Sequence, residues 1–129
     1  LFTEGLICPM IDFVFSQPFE KESAALQRRF PAFNDGLEAF KRICLIHFNP
    51  IKPQQVIAPG KLHRVKNCDS YTIWKIEMAV KNLKSNHFPR IWFAIKGSVL
   101  VFLCARTHID NYDNNEADRI AHSISTNFF

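Results

Sequence analysis

The chain has 129 residues, which fits one compact domain. An apolar fraction of 47% with thirteen phenylalanines excludes a disordered chain. The formal charge of +4 is mildly basic, which favours an anionic partner without defining one.

No apolar run approaches the roughly 18–20 residues of a membrane span. The apolar stretch 1–15 has no basic start and carries Glu4 and Asp12, so a signal peptide is not expected. Cys8, Cys44, Cys68 and Cys104 are widely spread without any CxxC pair. They read as reduced thiols of a cytoplasmic protein rather than zinc ligands or a disulfide framework. Residues 1–9 read as an upstream extension or a remnant added for expression, and residues 10–129 as a single domain. Met10 opens a natural-looking first strand, Met10–Phe15.

Ser16 is a credible N-cap for a first helix, with Pro18 tolerated in its first turn. The helix runs to about Phe30 and stops at Pro31. Phe19, Leu26 and Phe30 form its buried stripe; Lys21, Glu22, Gln27, Arg28 and Arg29 read as mostly solvated. A second helix follows over Phe33–Phe48, where Phe33, Leu37, Phe40, Cys44 and Phe48 recur at spacings of three and four. The short break predicts a helical hairpin. Residues 49–60 hold three prolines and a glycine and read as a loop. Strand two is placed at about Lys61–Lys66 and strand three at about Tyr71–Val80.

The stretch 89–108 reads as a β-hairpin around Lys96-Gly97-Ser98. Because side chains alternate with period two, Ile91, Phe93 and Ile95 share one face and Arg90, Trp92 and Ala94 the other. On the returning strand Val99, Val101, Leu103 and Ala105 form one row. Leu100, Phe102, Cys104, Arg106 and His108 form the second. Asp113, with Glu116 three residues on, opens a last helix through about Ser123, with Ile120, Ala121 and Ile124 as its apolar side. The order is β-α-α-β-β-β-β-α: an α+β fold, with a helical hairpin on one face of a mainly antiparallel sheet and the other face partly open.

This order and these residues resemble the RelE/ParE superfamily of toxins of type II toxin–antitoxin systems, in its HigB-like, phage-derived branch. Ile11–Phe15, Phe19, Glu22, Leu26, Arg29-Phe30-Pro31, Leu37 and Phe40 resemble the family's first strand and helical hairpin. Pro59–Lys66 is similar to its basic second strand. Ile73–Met78 is similar to a strand that usually carries Arg or Lys. Pro89-Arg90-Ile91-Trp92-Phe93 resembles its Tyr/Pro-Arg-aliphatic-aromatic strand, and Val101-Phe102-Leu103 its hydrophobic fifth strand.

The resemblance implies a RelE-like fold and an endoribonuclease, an mRNA interferase. Its 2′-hydroxyl attack needs a proton acceptor, a proton donor and fixed cations on the phosphorane. Arg90, Arg106 and Lys75 are the candidate cations. His108 is the candidate acid or base, its reference pKa near 6.5 suiting that work. Tyr112 is a candidate proton donor or stacking ring. His63, Arg64 and Lys66 are candidate backbone contacts, and Trp92 a base-stacking ring. Partners implied are a cognate antitoxin, forming a toxin–antitoxin hetero-oligomer, and mRNA, on or off the ribosome. No membrane partner is implied, and no cofactor. His108, Asp110 and Asp113 match no standard metal spacing, so no metal is expected. Many relatives carry a Lys-rich segment after strand five. Here that place holds Thr107–Asn115 instead. Two alternatives therefore stay open: a ParE-like inhibitor of DNA gyrase that acts by binding, and a non-catalytic RNA- or protein-binding member.

Overall fold

A computed structural model describes residues 10–129; the proposed extension 1–9 lies outside the described residues. The elements are β1 (Asp12–Phe15), α1 (Gln17–Arg29), α2 (Phe33–His47), β2 (Leu62–Asn67), β3 (Thr72–Glu77), β4 (Arg90–Lys96), β5 (Val99–Arg106) and α3 (Asn114–Ser125). Single 3-10 turns sit at Ser85–His87 and His108–Asp110. The described chain is thus α+β, with the element order read from the sequence. Residues 49–60 form a loop, as expected.

The five strands form one sheet in the order β1-β5-β4-β3-β2. Strands β2 to β5 are an antiparallel meander, and β1 pairs with β5 in parallel. The β4–β5 turn is tight: Lys96 pairs with Val99, leaving Gly97-Ser98 as the loop. Gly97 supplies the positive φ of 58° at the first loop position, as a primed two-residue turn with Gly first requires.

Ser16 starts α1 as expected. Its hydroxyl accepts the Phe19 amide at 3.1 Å and donates to the Leu103 carbonyl at 2.8 Å. Between α1 and α2 the Gln27 amide group ties the turn, donating to Pro31 O at 2.9 Å and accepting from the Asn34 amide at 2.7 Å. The predicted stripe of α2 is its buried face, and it packs on the predicted face of β4. Phe40 meets Phe93 edge-on at 5.5 Å between ring centroids, and Phe48 meets Phe93 at 5.7 Å. This first core joins Phe19 and Leu26 of α1 and Phe33, Leu37, Phe40 and Cys44 of α2 to the sheet. Cys44 and Cys104 are buried free thiols, and Cys68 is half-buried. Burial pushes the Cys104 thiol up to about 12.

Two expectations about the sheet are corrected. The second face is not open: α3 covers it, with Ala117 and Ala121 packed on Ile73, Trp92, Ala94, Val101, Leu103 and Cys104. The expected apolar side of α3 holds in part: Ala121 is buried and Ile124 packs against the same core, whereas Ala117 and Ser125 complete the inner side in place of Ile120. The alternation of β5 also breaks. Trp92 pairs with Cys104 but Phe93 with Phe102, so Leu103 is the extra residue of a bulge. Leu100, Phe102 and Ala105 therefore face α1 and α2, while Val101, Leu103 and Cys104 face α3. The bulge frees the Leu103 carbonyl, which the Ser16 hydroxyl takes.

Candidate functional site

The pairing of β3, β4 and β5 builds the site row by row. Glu77, Arg90 and Arg106 lie side by side across the three strands. The next row inward is Lys75, Trp92 and Cys104. Paired residues share a face, so the strands deliver Arg90, Lys75 and Trp92 together beneath α3. The turn at His108–Asp110 and the start of α3 close the end of this face. Asp113 caps α3 by accepting the amides of Asn115 and Glu116, and Thr107 accepts the Ile109 amide.

Arg90 donates through Nη2 to Glu77 Oε2 at 3.3 Å and through Nη1 to Asn114 Oδ1 at 2.9 Å. His108 Nε2 lies 3.0 Å from the same Glu77 oxygen. Burial alone would raise the Glu77 carboxyl, but the His108 hydrogen bond and the Arg90 charge outweigh it and hold the group below the usual carboxylate range. An ionised Glu77 accepts from Nε2–H and leaves Nδ1 as the basic nitrogen of the ring. The Tyr112 ring stands 5.6 Å from His108 and 5.7 Å from Trp92. Its hydroxyl is buried, as is Arg90 Nε, and neither has a hydrogen-bond partner among the described residues. Burial pushes the Tyr112 hydroxyl up.

Each candidate cation is held by a carboxylate. Lys75 Nζ lies 3.1 Å from Asp118 Oδ1 and 5.8 Å from the Trp92 ring. Arg106 pairs with Glu22 of α1, which also accepts the Ala105 amide at 2.9 Å. Glu22, read as solvated, is half-buried, and its burial raises the carboxyl despite the Ala105 amide and Arg106. Arg106 stands opposite Arg90 in register, yet its guanidinium is committed to α1. Trp92 is fully buried, and its Nε1 donates to Asp118 Oδ1 at 2.8 Å. A base-stacking role for Trp92 is overturned, because α3 occupies its face. Lys75 and Arg90 are only 16% and 15% accessible, whereas His108 and Glu77 are 35% and 38% accessible. A ligand arriving from solvent meets the His108–Glu77 pair first.

The structure therefore brings together Arg90, His108, Tyr112, Lys75 and Trp92, and turns Arg106 aside. His63, Arg64 and Lys66 lie on the edge strand β2, where His63 borders this group as the cross-strand partner of Lys75. His63 and Lys66 pair with Lys75 and Ile73 and so lie on the α3 face, whereas Arg64 pairs with Trp74 and lies on the α2 face. Sequence reasoning missed Glu77, Asp118, Asn114 and Glu22, the groups that hold the cations. Glu77 alone carried a local signal: it follows Lys75 by two residues, and so shares its face. Among the described residues no group of three His, Cys, Asp or Glu is placed to hold a metal ion, and no helix is long and apolar enough to cross a membrane.

Comparison with protein-family models, with curated proteins and with solved structures finds no match for the chain.

Proposed function

We propose that this protein is a RelE-like toxin of a type II toxin–antitoxin system and an endoribonuclease acting on mRNA, with His108, Glu77 and Arg90 as its working centre. The observation that carries the reading is the juxtaposition of an accessible imidazole, an ionised carboxylate that orients it, and a guanidinium within one hydrogen-bonded group. The element order β-α-α-β-β-β-β-α supports it, since that is the order the resemblance implies.

In this reading His108 takes the proton of a ribose 2′-hydroxyl through Nδ1. The 2′-oxygen attacks the adjacent phosphorus as the P–O5′ bond breaks, and the 5′-oxygen leaves with a proton taken from solvent water. The products are a 2′,3′-cyclic phosphate and a 5′-hydroxyl end. Arg90 faces the negative charge that grows on the phosphorane, with its buried Nε–H in reserve. Glu77 fixes the imidazole tautomer, as the carboxylate does in other acid–base pairs. Lys75 and Trp92 brace the site through Asp118 rather than touch RNA. The proposed partners are mRNA and a neutralising antitoxin, in the cytoplasm.

The test is induced expression with mapping of RNA ends. Wild-type protein should leave 2′,3′-cyclic phosphate ends, and His108→Ala should slow cleavage by roughly 10²–10⁴, the usual worth of a positioned acid or base. Arg90→Lys should restore only part of what Arg90→Ala loses, because a point charge cannot replace a fork of donors. Intact RNA would end the ribonuclease reading. One observation favours a second reading: every cation of the cluster already has a carboxylate partner. A ParE-like binder of DNA gyrase needs no free cation for chemistry. Blocked supercoiling with intact RNA, in a parallel assay, would promote it. The absence of both effects would leave a non-catalytic binding protein.

A further inference from the structure

We infer that the outer edge of β2, with the groove beside it, is a docking site for an extended, acidic segment of a protein partner, bound by strand addition. Among the described residues β2 is the edge strand of the sheet and pairs only with β3, so one row of its backbone groups has no strand partner there. Such an edge is a template for another strand. From Pro59 to Asn67 the chain carries Lys61, His63, Arg64 and Lys66 and no acid. None of these four makes an ion pair among the described residues. They contrast with Lys75, Arg90 and Arg106, which are all held by carboxylates.

Both faces of the edge contribute. On the α2 face Leu62 borders an open groove of about 490 Å³ walled by His47, Pro53, Ile57 and Trp74, and Arg64 is the cross-strand partner of Trp74. On the α3 face lie His63 and Lys66. A strand laid along Leu62–Arg64 would turn alternate side chains toward the two faces. One apolar residue would enter the groove beside Leu62. Carboxylates would meet Arg64 on that face, and His63 and Lys66 on the other. The bulge between Arg64 and Lys66 confines regular pairing to the stretch next to the groove. The occupant is not a second copy of this chain, since like charges on two such edges repel.

This inference stands apart from the ribonuclease reading, because no residue of that centre takes part. The probe is a labelled, capped octapeptide of Glu, Val and Phe, half of it Glu, added to the full chain. A version with Lys in place of Glu and an oligouridine serve as comparisons. Fluorescence anisotropy should show binding of the acidic peptide that weakens with salt. The doubly substituted Arg64→Glu, Lys66→Glu protein should bind at least tenfold more weakly with an unchanged melting temperature. Amide hydrogen exchange should slow within 62–66 on binding. The inference is overturned if the acidic peptide does not bind, if the Lys peptide binds equally, or if exchange in β2 is unaltered. It is equally overturned, in favour of nucleic acid, if oligouridine displaces the peptide and loses its own affinity in the same double variant.

Discussion

The Ser16 hydroxyl joins a helix start to a strand bulge: it accepts from the Phe19 amide and donates to the Leu103 carbonyl, 87 residues away, while itself being 1% exposed. Ser16→Ala removes the cap of α1 and leaves the bulge carbonyl without its donor. The expected loss is about 1–3 kcal/mol, for a lost cap together with an unsatisfied buried acceptor. Denaturant unfolding measures it, and an unchanged midpoint would refute the double role.

Gly36 is the second sensitive point. Its α carbon faces the carbonyl of Ala79, and an added Cβ would stand 2.7 Å from that oxygen. Replacing a helical glycine by alanine ordinarily stabilises by about 1 kcal/mol. Here the backbone contact must open, so Gly36→Ala should destabilise by roughly 1–3 kcal/mol. A gain in urea midpoint would show that α2 and the segment after β3 separate freely.

Asp118 tests how α3 is held. Asp118→Ala leaves the buried Trp92 indole N–H and the Lys75 ammonium without their acceptor, at an expected cost of about 2–4 kcal/mol. Asp118→Asn keeps an acceptor for Trp92 and should cost less. Equal losses in the two variants, read by unfolding and by Trp fluorescence, would remove the indole bond from the account.

His47 sets a pH dependence. Its Nδ1 accepts two backbone amides, from Val56 at 3.3 Å and Ile57 at 3.2 Å. Burial pushes its imidazole below the ordinary 6.5. The unfolded chain therefore binds the proton more readily. This contribution to stability is present in full above about pH 6.5 and is lost as the pH falls through the folded value. Protonation also turns Nδ1 into a donor facing two donors. The difference in urea midpoint between wild type and His47→Gln should shrink from pH 7.5 to pH 5. A constant difference would show that the loop is held by other contacts.

What could be read beforehand was whatever local chemistry decides. The Ser16 cap, the stripe from Phe33 to Phe48, the Gly97 turn and the faces of β4 each follow from a few neighbouring residues. The β5 faces did not, because Leu100 to Ala105 is apolar throughout, and a bulge in such a run leaves no mark on the pattern. The cover over Trp92 was hidden for a related reason: α3 packs through Ala117 and Ala121, small residues that give a weak apolar signal. The candidate cations Lys75, Arg90 and Arg106 lie on three neighbouring strands, two residues or less apart in register. Their carboxylates could not be read beforehand, since Glu22 lies 84 residues from Arg106 and Asp118 lies 43 from Lys75.

The parallel pairing of β1 with β5 has a consequence for biosynthesis. Of the described strands, the first to be synthesised has its hydrogen-bonding partner in the last. Until Val99–Phe102 has emerged, Phe13 and Phe15 have no sheet to join, and Phe19 has no Phe102 to stack on. The candidate site is completed later still, because His108, Tyr112 and Asp118 follow β5 in the chain. A nascent copy therefore carries exposed aromatic surface until β5 has been made, with neither the first core nor this cluster assembled before then.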